Sequence, residues 1–225
     1  MIQDIKFIDG TATMYKKLFM STKEIESQLK GIDYKNFYSY YKGRVADEVE
    51  KANLPFIMLA FYHYVFVEER VPTPQDLLDE YYFLNRKSIT RYGDDYINFD
   101  GRTFQKKDVD ARVLRAYPSL IRDLHMFSLL SESKCFDKVS YSFVDDMNGA
   151  DIVITHQGKQ FIVSLFVQTK RSQEFKKYKN TVRHQYGNNE IQVPLDFALA
   201  SQCGDFYLYN KTNLFYIQDQ IKNWR

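Results

Sequence analysis

Residues 149–170 read Gly149-Ala150-Asp151-Ile152-Val153-Ile154-Thr155-His156-Gln157-Gly158-Lys159-Gln160-Phe161-Ile162-Val163-Ser164-Leu165-Phe166-Val167-Gln168-Thr169-Lys170. Two runs rich in Ile, Val and Phe, Asp151 to Thr155 and Gln160 to Thr169, flank a short Gln157-Gly158-Lys159 turn, which predicts a hairpin. Side chains alternate faces along a strand, so Gln168 and Lys170 project the same way and Thr169 the other. Asp151 opens the first strand of the pair. The strand ends can therefore bring an acid, an amide oxygen and an ammonium close together.

Working outward, Lys138 to Val144 alternates as a strand. Before it, Val113, Leu114, Tyr117, Leu120, Ile121, Leu124, Phe127 and Ser128 keep helical spacing from Asp108 onward, with Pro118 marking a kink or the true start. After the hairpin, Ser172 to Arg183 can form a basic helix, and Ile191-Gln192-Val193 and Asp205 to Tyr209 read as later strands. The order is helix, three strands, helix, then one or more strands. That is a mixed α/β sheet domain.

The first half reads as helical. Ser21 with Glu24 forms a capping box before Ile25 and Leu29. Asn53-Leu54-Pro55 can start an apolar helix. Thr73-Pro74-Gln75-Asp76 supplies a cap, a Pro at the first helical position and an acid in the first turn, ahead of Leu77, Leu78, Tyr81 and Tyr82. Asp100-Gly101 is a two-residue hairpin turn between Tyr96-Ile97-Asn98-Phe99 and Arg102-Thr103-Phe104. The division expected is 1–100, a helical domain that positions substrate or binds a partner, and 101–225, an α/β domain.

Composition narrows the classes. The chain has 225 residues, 44% hydrophobic and 27% charged, with nine Gly and five Pro, which excludes collagen-like and largely disordered chains. Cys135 and Cys203 form neither a CxxC nor a disulfide framework, and the amino terminus lacks a signal-peptide pattern, so a cytoplasmic protein is expected. The longest charge-free apolar window, Leu54 to Val67, is shorter than the roughly 20 residues a bilayer span needs, so no membrane role is expected. The 18 Phe, 18 Tyr and one Trp could stack bases, although an AT-rich gene would produce the same bias.

Residues 1–100 carry 13 Lys+Arg against 16 Asp+Glu, and residues 101–225 carry 18 against 13, so a bound polyanion would favour the second half. The positive charge concentrates at Lys170, Arg171, Lys176, Lys177, Lys179 and Arg183, with Glu174 the one acid between Lys170 and His184. Four histidines show no paired metal spacing, and there is no GxxxxGK[ST] loop or GxSxG elbow.

A carboxylate and a second oxygen can hold Mg²⁺, which carries phosphate and an attacking water, while a lysine offsets phosphate charge. On Asp151 and Gln168-Thr169-Lys170, residues 108–210 resemble the PD-(D/E)xK nuclease superfamily, the restriction-endonuclease-like fold. The resemblance implies a mixed sheet core flanked by helices and a metal-dependent DNA endonuclease. It implies Asp151, Gln168 and a helix-borne acid as ligands to Mg²⁺ or Mn²⁺, and Lys170 as the group serving phosphate and water. Asp123 is the helix acid chosen, with Glu132, Asp145 and Asp146 as competitors. Arg171, Lys176, Lys177, Lys179 and Arg183 would contact DNA, and a homodimer or a partner protein would complete the assembly. Gln168 stands where the superfamily usually has an acid, and Gln occurs there in active and inactive members alike. The rival expectation is an inactive nuclease-fold protein that binds nucleic acid or assembles with a partner.

Overall fold

A computed structural model describes residues 20–141, 150–167 and 189–224, together with the backbone of two strands between 5 and 16. In chain order the elements begin with β1 (Ile5–Ile8), β2 (Thr13–Lys16), α1 (Thr22–Leu29), α2 (Tyr34–Ser39), α3 (Asp47–Lys51), α4 (Ile57–Glu68) and α5 (Pro74–Leu84). A three-stranded antiparallel sheet follows, β3 (Ile89–Tyr92), β4 (Tyr96–Phe99) and β5 (Arg102–Gln105), and leads into the long helix α6 (Lys106–Ser133). The second sheet comprises β6 (Lys138–Ser140), β7 (Ile152–His156), β8 (Lys159–Val167) and β9 (Glu190–Leu195). The chain then forms a hairpin, β10 (Ser201–Cys203) and β11 (Phe206–Leu208), and the helix α7 (Lys211–Lys222).

The capping signals stand where helices start. Ser21 Oγ accepts from Glu24 N–H while the Glu24 carboxylate accepts from Ser21 N–H, and Thr73 and Asp76 do the same for α5. The start at Pro55 is corrected: α4 begins at Ile57, two residues later. The β1–β2 hairpin and α7 are additions to what the sequence reading placed.

Pro118 lies inside α6 rather than at its start. Proline has no N–H to give the carbonyl four residues back, so the Leu114 carbonyl needs another donor. Tyr34 supplies it: its phenol donates to Leu114 O at 3.0 Å. The helix continues because a side chain from α2 takes over the missing bond. Tyr34→Phe leaves a buried carbonyl unpaired and should cost about 1–2 kcal/mol, read as a lower urea midpoint at unchanged m-value.

One buried core runs from Met20 to Ile221, and α6 packs on α1, α3, α4 and α5 as well as on β6, β11 and α7. The 100/101 division falls in the β4–β5 turn, where Asp100 and Gly101 both have positive φ, so the three-stranded sheet straddles it. The protein is α/β in class, with helices over mixed and antiparallel sheets.

In the second sheet the order is β6-β7-β8-β9. β6, β7 and β8 form an antiparallel meander, with Val139 opposite Ile154 and Ile154 opposite Phe161. Gln157 and Gly158, at φ 50° and 74°, form the turn between His156 and Lys159. β9 runs parallel to β8, with Val163 opposite Ile191 and Val167 opposite Leu195. Parallel strands need a crossover of a dozen or more residues, and residues 168–189 separate these two.

The β10–β11 turn is pressed against the end of α1. A Cβ at Gly204, where φ is +55°, would sit 2.9 Å from the Leu29 carbonyl oxygen, so this close approach requires glycine. That contact seats β11, and with it the residue that follows, Tyr209. Among the described residues no helix is long and apolar enough to cross a membrane.

Candidate active site

Asp151 stands just ahead of β7, one step beyond the Ile152–Val163 pair, and is half-buried. Its Oδ2 accepts from Leu165 N–H at 2.6 Å, so the carboxylate clasps the backbone of β8. A bond of that length to an ionised acceptor is among the stronger ones in a protein. Ala150 and Ile152 on either side are fully buried, which fixes the backbone that presents the acid.

Asp123 comes from α6, on the half-buried shoulder beside the fully buried Ile121 and Leu124. Arg122 precedes it. Burial pulls the Arg122 guanidinium below its ordinary pKa, while the neighbouring charges of Asp123 and the phenols of Tyr209 and Tyr34 favour its charged form.

The charges of these residues bear on Tyr209. It follows β11, precedes Asn210, the cap of α7, and is 1% exposed. Its hydroxyl lies 3.4 Å from both the Phe166 carbonyl of β8 and the Val193 carbonyl of β9. One O–H cannot serve both fully, so each is a weak, shared bond. Burial pushes the phenol well above its ordinary pKa. The negative charges of Asp123 and Asp151 push it further, against the opposing pull of Arg122. Asp123 and Asp151, from a helix and a strand start far apart in sequence, thus act on one buried phenol beside the last residues of β8.

Among the other candidates, Glu132 is committed elsewhere. Its two carboxylate oxygens accept from the Thr22 N–H at 2.8 Å and the Thr22 hydroxyl at 2.7 Å, which places it at the start of α1. Negative charge there complements the helix dipole. Asp145 and Asp146 lie outside the described residues. So do Gln168, Lys170, Arg171, Lys176, Lys177, Lys179 and Arg183, and with them the expectation that Lys170 shares a side of the sheet with Asp151.

The donor set fits a hard divalent cation in kind, since carboxylate and carbonyl oxygens are what Mg²⁺ takes. Asp123, Asp151 and the Gln168 amide oxygen would hold it. Among the described residues no three His, Cys, Asp or Glu gather as a metal-binding group, so Gln168 or a backbone carbonyl would have to complete the set.

Arg122 and Tyr209 escaped the sequence reading. Arg122 adjoins the chosen acid, and an arginine beside an aspartate on a helix usually signals a solvated face. Tyr209 ended a strand-like aromatic run and read as core. No family model, curated protein or solved structure matches this chain.

Proposed function

We propose that the chain is a metal-dependent endonuclease that hydrolyses DNA phosphodiester bonds on a restriction-endonuclease-like core. The observation that carries this reading is the bond from Leu165 N–H to Asp151 Oδ2, which fixes this acid against β8, the strand that leads into Gln168-Thr169-Lys170. The element order also supports it: a long helix, three antiparallel strands and a fourth strand parallel to the third.

In this reading Asp151, tied to β8 by Leu165 N–H, and Asp123, held on α6, fix the negative charge of the site. A divalent cation bound there supplies positive charge for the scissile phosphate and makes the attacking water more acidic. Lys170 faces the charge that builds on phosphate as the bond to the leaving oxygen breaks, and Arg122 offers a second cation near the carboxylates. Tyr209, held neutral, ties β8 and β9 together and keeps water from the base of the site.

One observation favours a second reading, a nuclease-fold protein that binds nucleic acid or a partner without cutting. Asp151 already spends one oxygen on the Leu165 amide, and Gln168 contributes a dipole where an acid would give a full charge. Incubating supercoiled plasmid with Mg²⁺ or Mn²⁺, with and without EDTA, separates the two. Metal-dependent nicking supports the first; salt-sensitive binding with no cutting supports the second.

The basic segment has its own test. If Lys176, Lys177 and Lys179 contact phosphates, changing all three to Ala should flatten the plot of log K against log salt by about two units or more. An unchanged slope would assign those lysines to solvent.

A further inference from the structure

We propose that the solvent face of α7 is the interface at which two copies of this chain meet, with the two helices antiparallel and Phe215 at the two-fold axis. This face is built from α7 and the 196–199 loop, apart from the candidate active site, and is independent of the nuclease reading.

The helix is amphipathic only in part. Leu214, Ile217 and Ile221 are buried and attach α7 to the core. The side turned to water would ordinarily be polar. Yet Phe215 is 62% exposed and Tyr216, beside it, 42%. The apolar surface continues at the start of the helix. Asn210 Nδ2 donates to the Leu199 carbonyl at 2.7 Å, which sets the loop next to the first turn of α7. There Leu199 is 69% exposed, and Phe197, also exposed, lays its ring against Tyr207. Large apolar side chains gathered in this way mark an interaction surface.

Charge says what fits it. Lys211, Phe215 and Asp219 follow one another at intervals of four, so they lie along one side of the helix with the ring in the middle. Lys211 opens α7 and Asp219 stands in its last turn. Each is at the wrong end, because the helix dipole disfavours a cation at the start and an anion at the end. Neither is neutralised within the chain. Both are exposed, the Asp219 carboxylate accepts from the Asn223 side-chain amide at 3.0 Å, and among the described residues neither belongs to an ion pair.

A second copy of the helix, turned antiparallel about an axis at Phe215, answers both charges. It sets Asp219 of one copy beside Lys211 of the other, twice by symmetry, and each charge then also meets the helix end that suits it. The two Phe215 rings meet at the axis, and Phe197 and Leu199 extend the contact at both ends. The same rotation carries Lys222 toward the loop of the other copy, where Asp196 is exposed. Lys211 and Lys222 against Asp196 and Asp219 give each copy a balanced, self-complementary surface. A binding surface of one charge sign, such as nucleic acid or an anionic membrane, would repel half of these groups.

The test is sedimentation velocity of the full chain over a concentration series, in EDTA and without nucleic acid. The expected result is a dimer that weakens as salt rises, since charge pairs contribute to it. Phe215→Glu sets two carboxylates against each other at the axis and should leave a monomer. Lys211→Glu alone and Asp219→Lys alone each put like charges together and should weaken the dimer by about tenfold or more. Both changes in one chain restore opposite charges and should restore the dimer. Each swap gives α7 the sign its dipole favours, so thermal melting should not fall, and a lost dimer cannot then be blamed on an unfolded helix. A wild-type chain that stays monomeric across the series overturns the proposal. So does a dimer that survives Phe215→Glu, a single swap that leaves dimerisation unchanged, or a double swap as weak as the single ones.

Discussion

Plasmid cleavage should vanish in both Asp151→Ala and Asp151→Asn, by at least about a hundredfold, while only Asp151→Ala loses stability. The two variants separate the acid's two duties. Asn keeps an amide oxygen where Asp151 Oδ2 accepts from Leu165 N–H, so the clasp on β8 survives. It lacks the full negative charge a divalent cation requires. Ala loses both, and the unmet Leu165 amide should cost about 1–3 kcal/mol. Lys170→Ala should likewise abolish cutting while sparing DNA binding, since the lysine is assigned to charge that develops in the transition state. Gln168→Glu adds one negative charge at nearly constant side-chain length. It should lower the Mg²⁺ concentration needed for cleavage or leave cleavage intact. The non-catalytic reading expects no cutting by any of these proteins, wild type included. Robust cutting by both Asp151→Ala and Lys170→Ala would place the chemistry elsewhere.

Short-range chemistry made much of the fold legible. The Asp100-Gly101 turn could be read because two successive residues with positive φ favour Asx followed by Gly, whereas at Gln157-Gly158 the glycine alone carried the signal. The starts of α1 and α5 could be read because the capping groups lie within four residues of one another. The strand pattern of β7 and β8 followed from its β-branched runs, and the antiparallel pairing from a two-residue turn. The parallel pairing of β8 with β9 was beyond a local reading, since direction in a sheet depends on where a distant strand docks.

Pro118 shows why a local rule can fail in an informative way. The rule that proline breaks a helix assumes that the freed carbonyl finds no donor. Here the donor is Tyr34, eighty residues upstream, and nothing near Pro118 in sequence announces it. Asp110 makes a related point. A charged residue on a helix usually reads as surface, yet it is 3% exposed, accepting from the Tyr82 phenol at 2.7 Å and from Lys106 Nζ at 2.7 Å. The Lys106 partner four residues back was legible as helical spacing; the Tyr82 partner on α5 was not.

The candidate site divides along the same line. Asp151 could be picked from its place at a strand start, and Asp123 from its place at the edge of the α6 apolar stripe. That the charges of both bear on one buried phenol could not, because Tyr209 takes its place only after β10 and β11 have turned and Gly204 has let that hairpin close on α1. The hold of Thr22 on Glu132, the competing acid, was hidden for a similar reason: the two lie 110 residues apart, and Thr22 opens α1.

Tyr209→Ala should be among the most damaging single changes in the protein, at about 3–5 kcal/mol of lost stability. The ring is buried almost completely, and its removal leaves a cavity where β8, β9 and α6 meet. Tyr209→Phe should be far milder, under about 1 kcal/mol, because the two hydrogen bonds it deletes are long and share a single proton. Urea titrations of the two variants measure this contrast directly. Activity then assigns the role. Tyr209 is too well shielded and its phenol held too firmly neutral to exchange a proton with substrate, so Tyr209→Phe should cut at close to the wild-type rate. If Tyr209→Phe folds with wild-type stability and yet loses cleavage, the hydroxyl takes part in the chemistry and the purely positioning role fails. If Tyr209→Ala keeps full stability, the packing of β8 and β9 does not depend on this ring, and its role in tying those two strands together fails.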